Sequence, residues 1–396
     1  MSKFLFVIPP FWGHINPTLS IGGTLLERGH DVAWAGMTKL NMKLFPLGAK
    51  YFYMEKTESK NKKEKERIIL LQNKGANMPA LEALKLGLED TYIPFARMMI
   101  DEFNEIVEQY KPDVIVNDCI TFVGGLSAQL KNIPFATITP ITPNALNDPQ
   151  SAPKVTEWVH KSIIDLQRFV GIDGDEEFVQ SKLLNMYYTS QLFCGLDNAS
   201  VPPYMKFIGA LTGRPDNTPF DWKKLEAMGD HPKIYISIGT VLVQSRKDFF
   251  SRMIEALKDK PVTVIAAADP NILDEWPENF IVQGYVPQSE LLKHIDVVIG
   301  HGGLNTTCDT FMNGIPMLII PMAFDQSHTA QLIQNYGCGI RIKYSRIRIQ
   351  DIEHAVDELL YNPTYKKAAK EIQQSFIEAG GNKRAAELLE EIITVK

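Results

Sequence analysis

The chain has 396 residues, 45% of them hydrophobic and 22% charged, the balance of a soluble globular protein long enough for two domains with separate cores. Its formal net charge of −6 supplies no basic excess for tracking nucleic-acid phosphates. The four cysteines, Cys119, Cys194, Cys308 and Cys338, are scattered without Cys-x-x-Cys or paired ligand spacing, which argues against a disulfide framework or a metal centre and for reduced thiols in the cytoplasm.

Phe4–Ile8 is a short apolar run ended by Pro9-Pro10 and predicts a buried parallel strand. It is too short for a signal peptide, and no apolar run of about eighteen residues offers a membrane span. After Phe11-Trp12-Gly13-His14-Ile15, the pair Asn16-Pro17 reads as an N-cap followed by proline at the first helical position. That helix runs to about Arg28, Gly29 stops it, and Asp31–Ala35 makes the next strand. Such βα alternation continues to about residue 140, and ligands of such sheets bind beyond the carboxyl ends of the strands. His14 therefore belongs to the functional edge. The turn lacks Gly-x-Gly-x-x-Gly, which counts against a nicotinamide cofactor.

The mixed charges of Lys60–Arg67 read as a solvated loop or helix face rather than a membrane contact. Helices over 78–88 and 92–109 precede a strand at Val114–Val116, which ends in Asn117-Asp118-Cys119. A helix over Gly125–Lys131 and a strand over Phe135–Thr139 follow. The prolines of 141–160 suggest an irregular wall, and 174–198 carries no readable pattern. A Gly/Pro/Asp/Asn-rich stretch between Pro202 and Pro232 marks a domain boundary, placed at 215/216. A second βα series starts with the strand Lys233–Ser237 and the turn Ile238-Gly239-Thr240. A helix over 246–259 and a strand over Val262–Ala266 come next, and a helical tail over 365–393 closes the chain.

The most informative stretch is Phe280–Gln326. A strand over Asp296–Ile299 leads through His301-Gly302-Gly303 into a helix opening near Leu304. A helix N-terminus presents unpaired N–H groups and positive potential, and glycines let a phosphate approach it closely. Thr306 and Thr307 add hydroxyl donors. Asn305 and Asp309, four residues apart, share one helix face. The stretch reads as a diphosphate cradle with a carboxylate suited to ribose hydroxyls; plain capping roles for His301 and Asp309 are the bland alternative.

In order and spacing this stretch resembles the signature box of family 1 glycosyltransferases. Tyr285-Val286-Pro287-Gln288 matches the aromatic-x-Pro-Gln that packs on the nucleotide base. His301-Gly-Gly303-Leu-Asn305-Thr306 matches the diphosphate-binding run, Asp309 stands where the family usually has Glu for the ribose, and Asp325-Gln326 matches the pair that holds sugar hydroxyls. Gly239-Thr240 resembles the second diphosphate contact. Two departures stand out: Tyr285 replaces a common Trp, and Asp309 is one methylene shorter than Glu.

The resemblance implies an α/β fold of two doubly wound Rossmann-like domains facing across a crevice (GT-B), with residues 1–215 binding the acceptor and 216–377 the nucleotide sugar. Residues 378–396 would then form a helix that crosses back to the N-terminal domain. It also implies His14 as general base, held by Asp118, a pairing that spacing alone does not give. Phe11, Trp12 and Phe122 flank this pair and would line an acceptor pocket or pack the core. The expected reaction is inverting transfer of a hexose, most simply glucose from UDP-glucose, to a hydroxyl of a lipophilic natural product. No cofactor or metal is required, the nucleotide sugar being a co-substrate. The protein would be a cytoplasmic monomer or homodimer with no nucleic-acid partner and no stable membrane insertion. Loops 40–95 and 140–200 would define the acceptor. A TDP-sugar transferase, a nucleotide-sugar epimerase and a non-catalytic accessory subunit on the same fold are the competing readings, with an oxidoreductase a remote fourth.

Overall fold

The computed structural model describes residues 1–396 except 75–79, 144–151, 198, 213–217, 240–245, 323–325 and 395–396, and except the side chains of 72–74, 80 and 394. The chain divides into two compact units. One comprises Met1–Tyr188, Asp197–Leu211 and Ala379–Lys396, the other Thr189–Leu196 and Thr212–Glu378. The boundary expected at 215/216 lies outside the described residues.

The first unit opens with β1 (Lys3–Val7), whose alternate side chains are buried on both faces: Phe4 and Phe6 on one, Leu5 and Val7 on the other. Burial on both faces is what a near-continuous apolar strand requires, and it fits the interior of a parallel sheet. α1 (Trp12–Glu27) follows. It starts earlier than the Asn16-Pro17 signal suggests. Phe11 is extended, and its carbonyl accepts from both His14 N (2.9 Å) and Ile15 N (3.0 Å), closing the first turn upstream. Pro17 is then inside the helix, where its missing N–H removes one backbone bond. His14 consequently sits in the first turn of a helix instead of a loop.

The unit continues with β2 (Asp31–Gly36), β3 (Lys50–Tyr53), α2 (Glu55–Lys74, kinked at Asn61), α3 (Ala80–Gly87), α4 (Ile93–Tyr110), β4 (Val114–Asp118), α5 (Val123–Lys131) and β5 (Phe135–Thr139). The charged run lies on α2; Lys65 departs from its solvated neighbours, being buried with its ammonium on Met37 O at 2.8 Å and on Glu58. The expected irregular wall is corrected from residue 153 onward, where Pro153 opens α6 (Pro153–Phe169) from the first-turn position that suits proline. Two three-residue strands with no sequence signal, β6 (Asn185–Tyr187) and β7 (Met205–Phe207), complete a parallel sheet of order β3-β2-β1-β4-β5-β6-β7. α1 packs tightly on it: a Cβ at Gly22 would lie 2.2 Å from Trp34, whose indole N–H donates to Thr18 Oγ1 at 3.0 Å.

The second unit contains α7 (Trp222–Ala227), β8 (Lys233–Ser237), α8 (Arg246–Leu257), β9 (Thr263–Ala267), β10 (Phe280–Gln283), α9 (Gln288–Leu291), β11 (Val297–Gly300), α10 (Leu304–Met312), β12 (Met317–Ile319), α11 (Gln326–Tyr336), β13 (Gly339–Arg341), α12 (Ile349–Tyr361) and α13 (Pro363–Glu378). Its sheet, also parallel throughout, has the order β10-β9-β8-β11-β12-β13. The tail is not one helix. Gly380 (φ 91°) and Gly381 (φ 57°) take left-handed backbone and separate α13 from α14 (Gly381–Glu391), which packs on α1 in the first unit. Burying Leu388, Leu389 and Ile392 there is worth on the order of 5 kcal/mol. Among the described residues no helix is long and apolar enough to cross a membrane.

Candidate active site

Each sheet reverses its strand order once, between β1 and β4 in the first unit and between β8 and β11 in the second. Ligands of open parallel sheets bind beyond the strand ends at such reversals. The residues singled out from the sequence collect at these two places.

In the first unit, β1 leads to His14 and β4 ends at Asp118. Because the strands are hydrogen-bonded neighbours, residues 104 apart in sequence meet: His14 Nδ1 lies 2.9 Å from Asp118 Oδ2 and 3.1 Å from Oδ1. The Asp118 side chain is fully buried, while His14 is 20% exposed. Asp118 Oδ1 also accepts from the Ile120 N–H at 3.0 Å, which satisfies a buried carboxylate. Asn117 fixes the turn behind it, donating to Val179 O and accepting from Thr121 and Gly124. Phe11 stands edge-on to His14 at 6.3 Å, and Trp12 is 39% exposed. Phe122 is buried against Tyr92 in the core.

In the second unit, His301 follows β11 and is buried. Its ring lies between two glycines: a Cβ at Gly239 would come within 2.9 Å of Cε1, and one at Gly303 within 2.6 Å of Nε2. Burial and the Arg246 charge push the His301 pKa down to about 4, against a smaller upward pull from the Ser237 backbone. A neutral imidazole results, with its Nδ1 lacking any partner among the described residues. Gly303 is the N-cap of α10 and brings no side-chain cap, and a helix start of this kind suits an anion. Asn305 and Thr306 are half-buried in the first turn. Asp309, one turn deeper, is bound through Oδ2 by Gln288 Nε2 at 2.7 Å, and Gln288 Oε1 accepts from the buried Tyr235 hydroxyl at 3.2 Å. Tyr285 is 74% exposed and Val286 buried. Gln326 is buried and accepts from Met322 N at 2.8 Å. Thr240 and Asp325 lie outside the described residues.

A family profile described as UDP-glucoronosyl and UDP-glucosyl transferase matches residues 191–376. The chain is 29% identical over 422 residues to an uncharacterized UDP-glucosyltransferase, YdhE, of Bacillus subtilis, with 100% of both chains covered. To the NDP-glycosyltransferase YjiC of the same organism it is 24% identical over 395 residues, covering 96% of this chain and 95% of that one. Among solved structures, the glycotransferase of kitacinnamycin matches with a TM-score of 0.78 at 21% identity, covering 98% of each chain. Residues 191–376 thus carry the profile of the UDP-glycosyltransferases, and over its whole length the chain is similar to bacterial glycosyltransferases.

The fold, two parallel α/β sheets in two Rossmann-like units, is thus that of the GT-B glycosyltransferases. Three features escaped the sequence reading. Tyr235 faces the Gln288–Asp309 pair from mid-strand, where a buried tyrosine needing a partner for its hydroxyl was the available signal. Arg246 stands at the first position of α8, a place the helix dipole disfavours for a cation. Finally, ligand-type atoms of His14, Asp118 and Cys119 lie within 4.8 Å of one another, a proximity that sequence spacing does not display.

Proposed function

We propose that this glycosyltransferase is an inverting, metal-independent enzyme that moves glucose from UDP-glucose to a hydroxyl of a lipophilic natural product, with His14 as general base. The His14–Asp118 pair at 2.9 Å carries the reading. Asp118 fixes the imidazole through Nδ1, leaving Nε2 to take the acceptor proton as the hydroxyl oxygen attacks the anomeric carbon. The bond from that carbon to the diphosphate oxygen breaks on the opposite face, and UDP leaves with the electron pair. Asp118 then stabilises the imidazolium. The α10 N-terminus, His301 and the Asn305–Thr306 turn serve the diphosphate, while Gln288 and Asp309 serve the nucleoside. Asp325 and Gln326 are assigned to the sugar, and Phe11 and Trp12 to the acceptor. The names of YdhE, a UDP-glucosyltransferase, and of the kitacinnamycin glycotransferase support the donor and acceptor classes.

A TDP-sugar donor is the second reading. Asp309 already accepts one hydrogen bond from Gln288, which takes up part of the acceptor capacity it can offer a nucleoside. Deoxyribose, with one hydroxyl fewer than ribose, suits that arrangement, and YjiC is named for nucleotide-diphosphate donors generally.

Mass spectrometry of wild type and His14→Ala tests both, each given UDP-glucose or TDP-glucose with pooled phenolic, macrolide and carotenoid alcohols. A hexose adduct that falls by at least ~100-fold in the variant supports the base assignment. Equal adducts from both proteins remove His14 from the mechanism, and the better donor decides between the readings.

A further inference from the structure

Arg246 has no role in the mechanism above, yet it enters the pocket that holds His301. Its Nη2 donates to Gly239 O at 3.0 Å. Gly239 is the residue whose left-handed backbone (φ 68°) and absent Cβ leave room for the His301 ring. The guanidinium is thereby tied to the residue that borders the imidazole, and its charge is one cause of the lowered His301 pKa. Burial destabilises the Arg246 cation itself, and among the described residues the group acting the other way is the weakly acidic phenol of Tyr285. Arg246 Nε is buried with no acceptor among those residues. A guanidinium has five N–H donors in a planar fork, and leaving one buried and unmade is costly.

A partly desolvated cation with an idle N–H, beside a neutral histidine and next to a cap-free helix start, calls for an anion with more than one oxygen. We propose that Arg246 is a diphosphate-binding residue, donating to the terminal phosphate of the nucleotide diphosphate and stabilising the charge that builds on it as the sugar leaves. This rests on the donor-binding reading of the second unit. Cleavage leaves an additional negative charge on that phosphate, so a fixed guanidinium gains interaction in the transition state and the product complex.

Calorimetric titration of the full chain with UDP, UMP and uridine tests the proposal in wild type, Arg246→Gln and Arg246→Lys. The expected result is UDP affinity about tenfold or more weaker in Arg246→Gln, with UMP affected far less, uridine unchanged and partial rescue by Arg246→Lys. A merely structural bond to Gly239 O would instead lower the melting temperature and weaken the three ligands alike. Undiminished UDP binding, or equal loss for UDP and UMP, overturns the Arg246 assignment alone. If wild type binds neither UDP nor TDP, the donor-site reading falls, and the assignment of Arg246 falls with it.

Discussion

Gln288 Nε2 donates to Asp309 Oδ2 at 2.7 Å, so the residue assigned to the nucleobase and the residue assigned to the ribose are held as one unit. The Tyr235 hydroxyl anchors this unit to β8. Gln288→Ala should therefore raise the donor KM roughly tenfold, the worth of a hydrogen bond to a charged group, with kcat changed about twofold at most. Initial-rate kinetics against donor concentration check this; a fall in kcat at constant KM would assign the pair to the chemical step instead.

Asp118→Asn keeps the size of the side chain but removes the charge facing His14. The rate should fall by roughly 100-fold or more, because the imidazolium loses its counter-ion and the ring its fixed tautomer. Single-turnover rates measure it, and activity within a few-fold of wild type would release Asp118 from the mechanism.

His301 titrates near 4 when folded, below the ordinary histidine value of about 6.5. Between those values the unfolded chain binds more protons than the folded one. The contribution of His301 is thus fully present above about pH 6.5 and lost as pH falls toward 4, amounting to about 3 kcal/mol. Urea unfolding of wild type and His301→Gln at pH 7, 5.5 and 4 should show a steeper decline for wild type. Parallel declines would refute the argument.

Glu390 joins α14 to the turn between α1 and β2, accepting from Arg28 Nε at 2.8 Å and Nη2 at 2.6 Å and pairing with His30 Nε2 at 2.8 Å. The Arg28 hydrogen bond, ahead of the His30 contribution, holds its carboxyl down at about 2. The stabilisation is present above the ordinary glutamate range and is lost as pH falls toward 2. Glu390→Gln should speed amide exchange along α14 at neutral pH, with a cost of about 1 kcal/mol for a partly exposed network. Unchanged exchange in α14 would show that its apolar face alone holds it.

The second-unit site was legible because its chemistry is local. A strand, a glycine turn and a helix start within thirteen residues bring His301, Gly303 and Asp309 together whatever the rest of the chain does. The first-unit pair was not, since His14 and Asp118 meet only through the β1–β4 adjacency, and strand order is a property of the whole sheet. The short strands β6 and β7 escaped because three residues cannot display a period. α1 began early because the Phe11 carbonyl closed its first turn without a capping side chain, while the Asn16-Pro17 signal was overridden. The break at Gly380-Gly381 did have a signal, two adjacent glycines, which a helical composition on either side obscured.

The chain passes between its two units after Tyr188, Leu196, Leu211 and Glu378. During synthesis, the first unit therefore cannot finish when its own sheet emerges from the ribosome. The surface of α1 that α14 covers stays bare until the second unit has been translated, on the order of 10 s or longer at ~5–20 residues per second. An apolar face open for that interval invites chaperone capture, and it makes the last helix a checkpoint: a message truncated before residue 381 yields a first unit that is never closed.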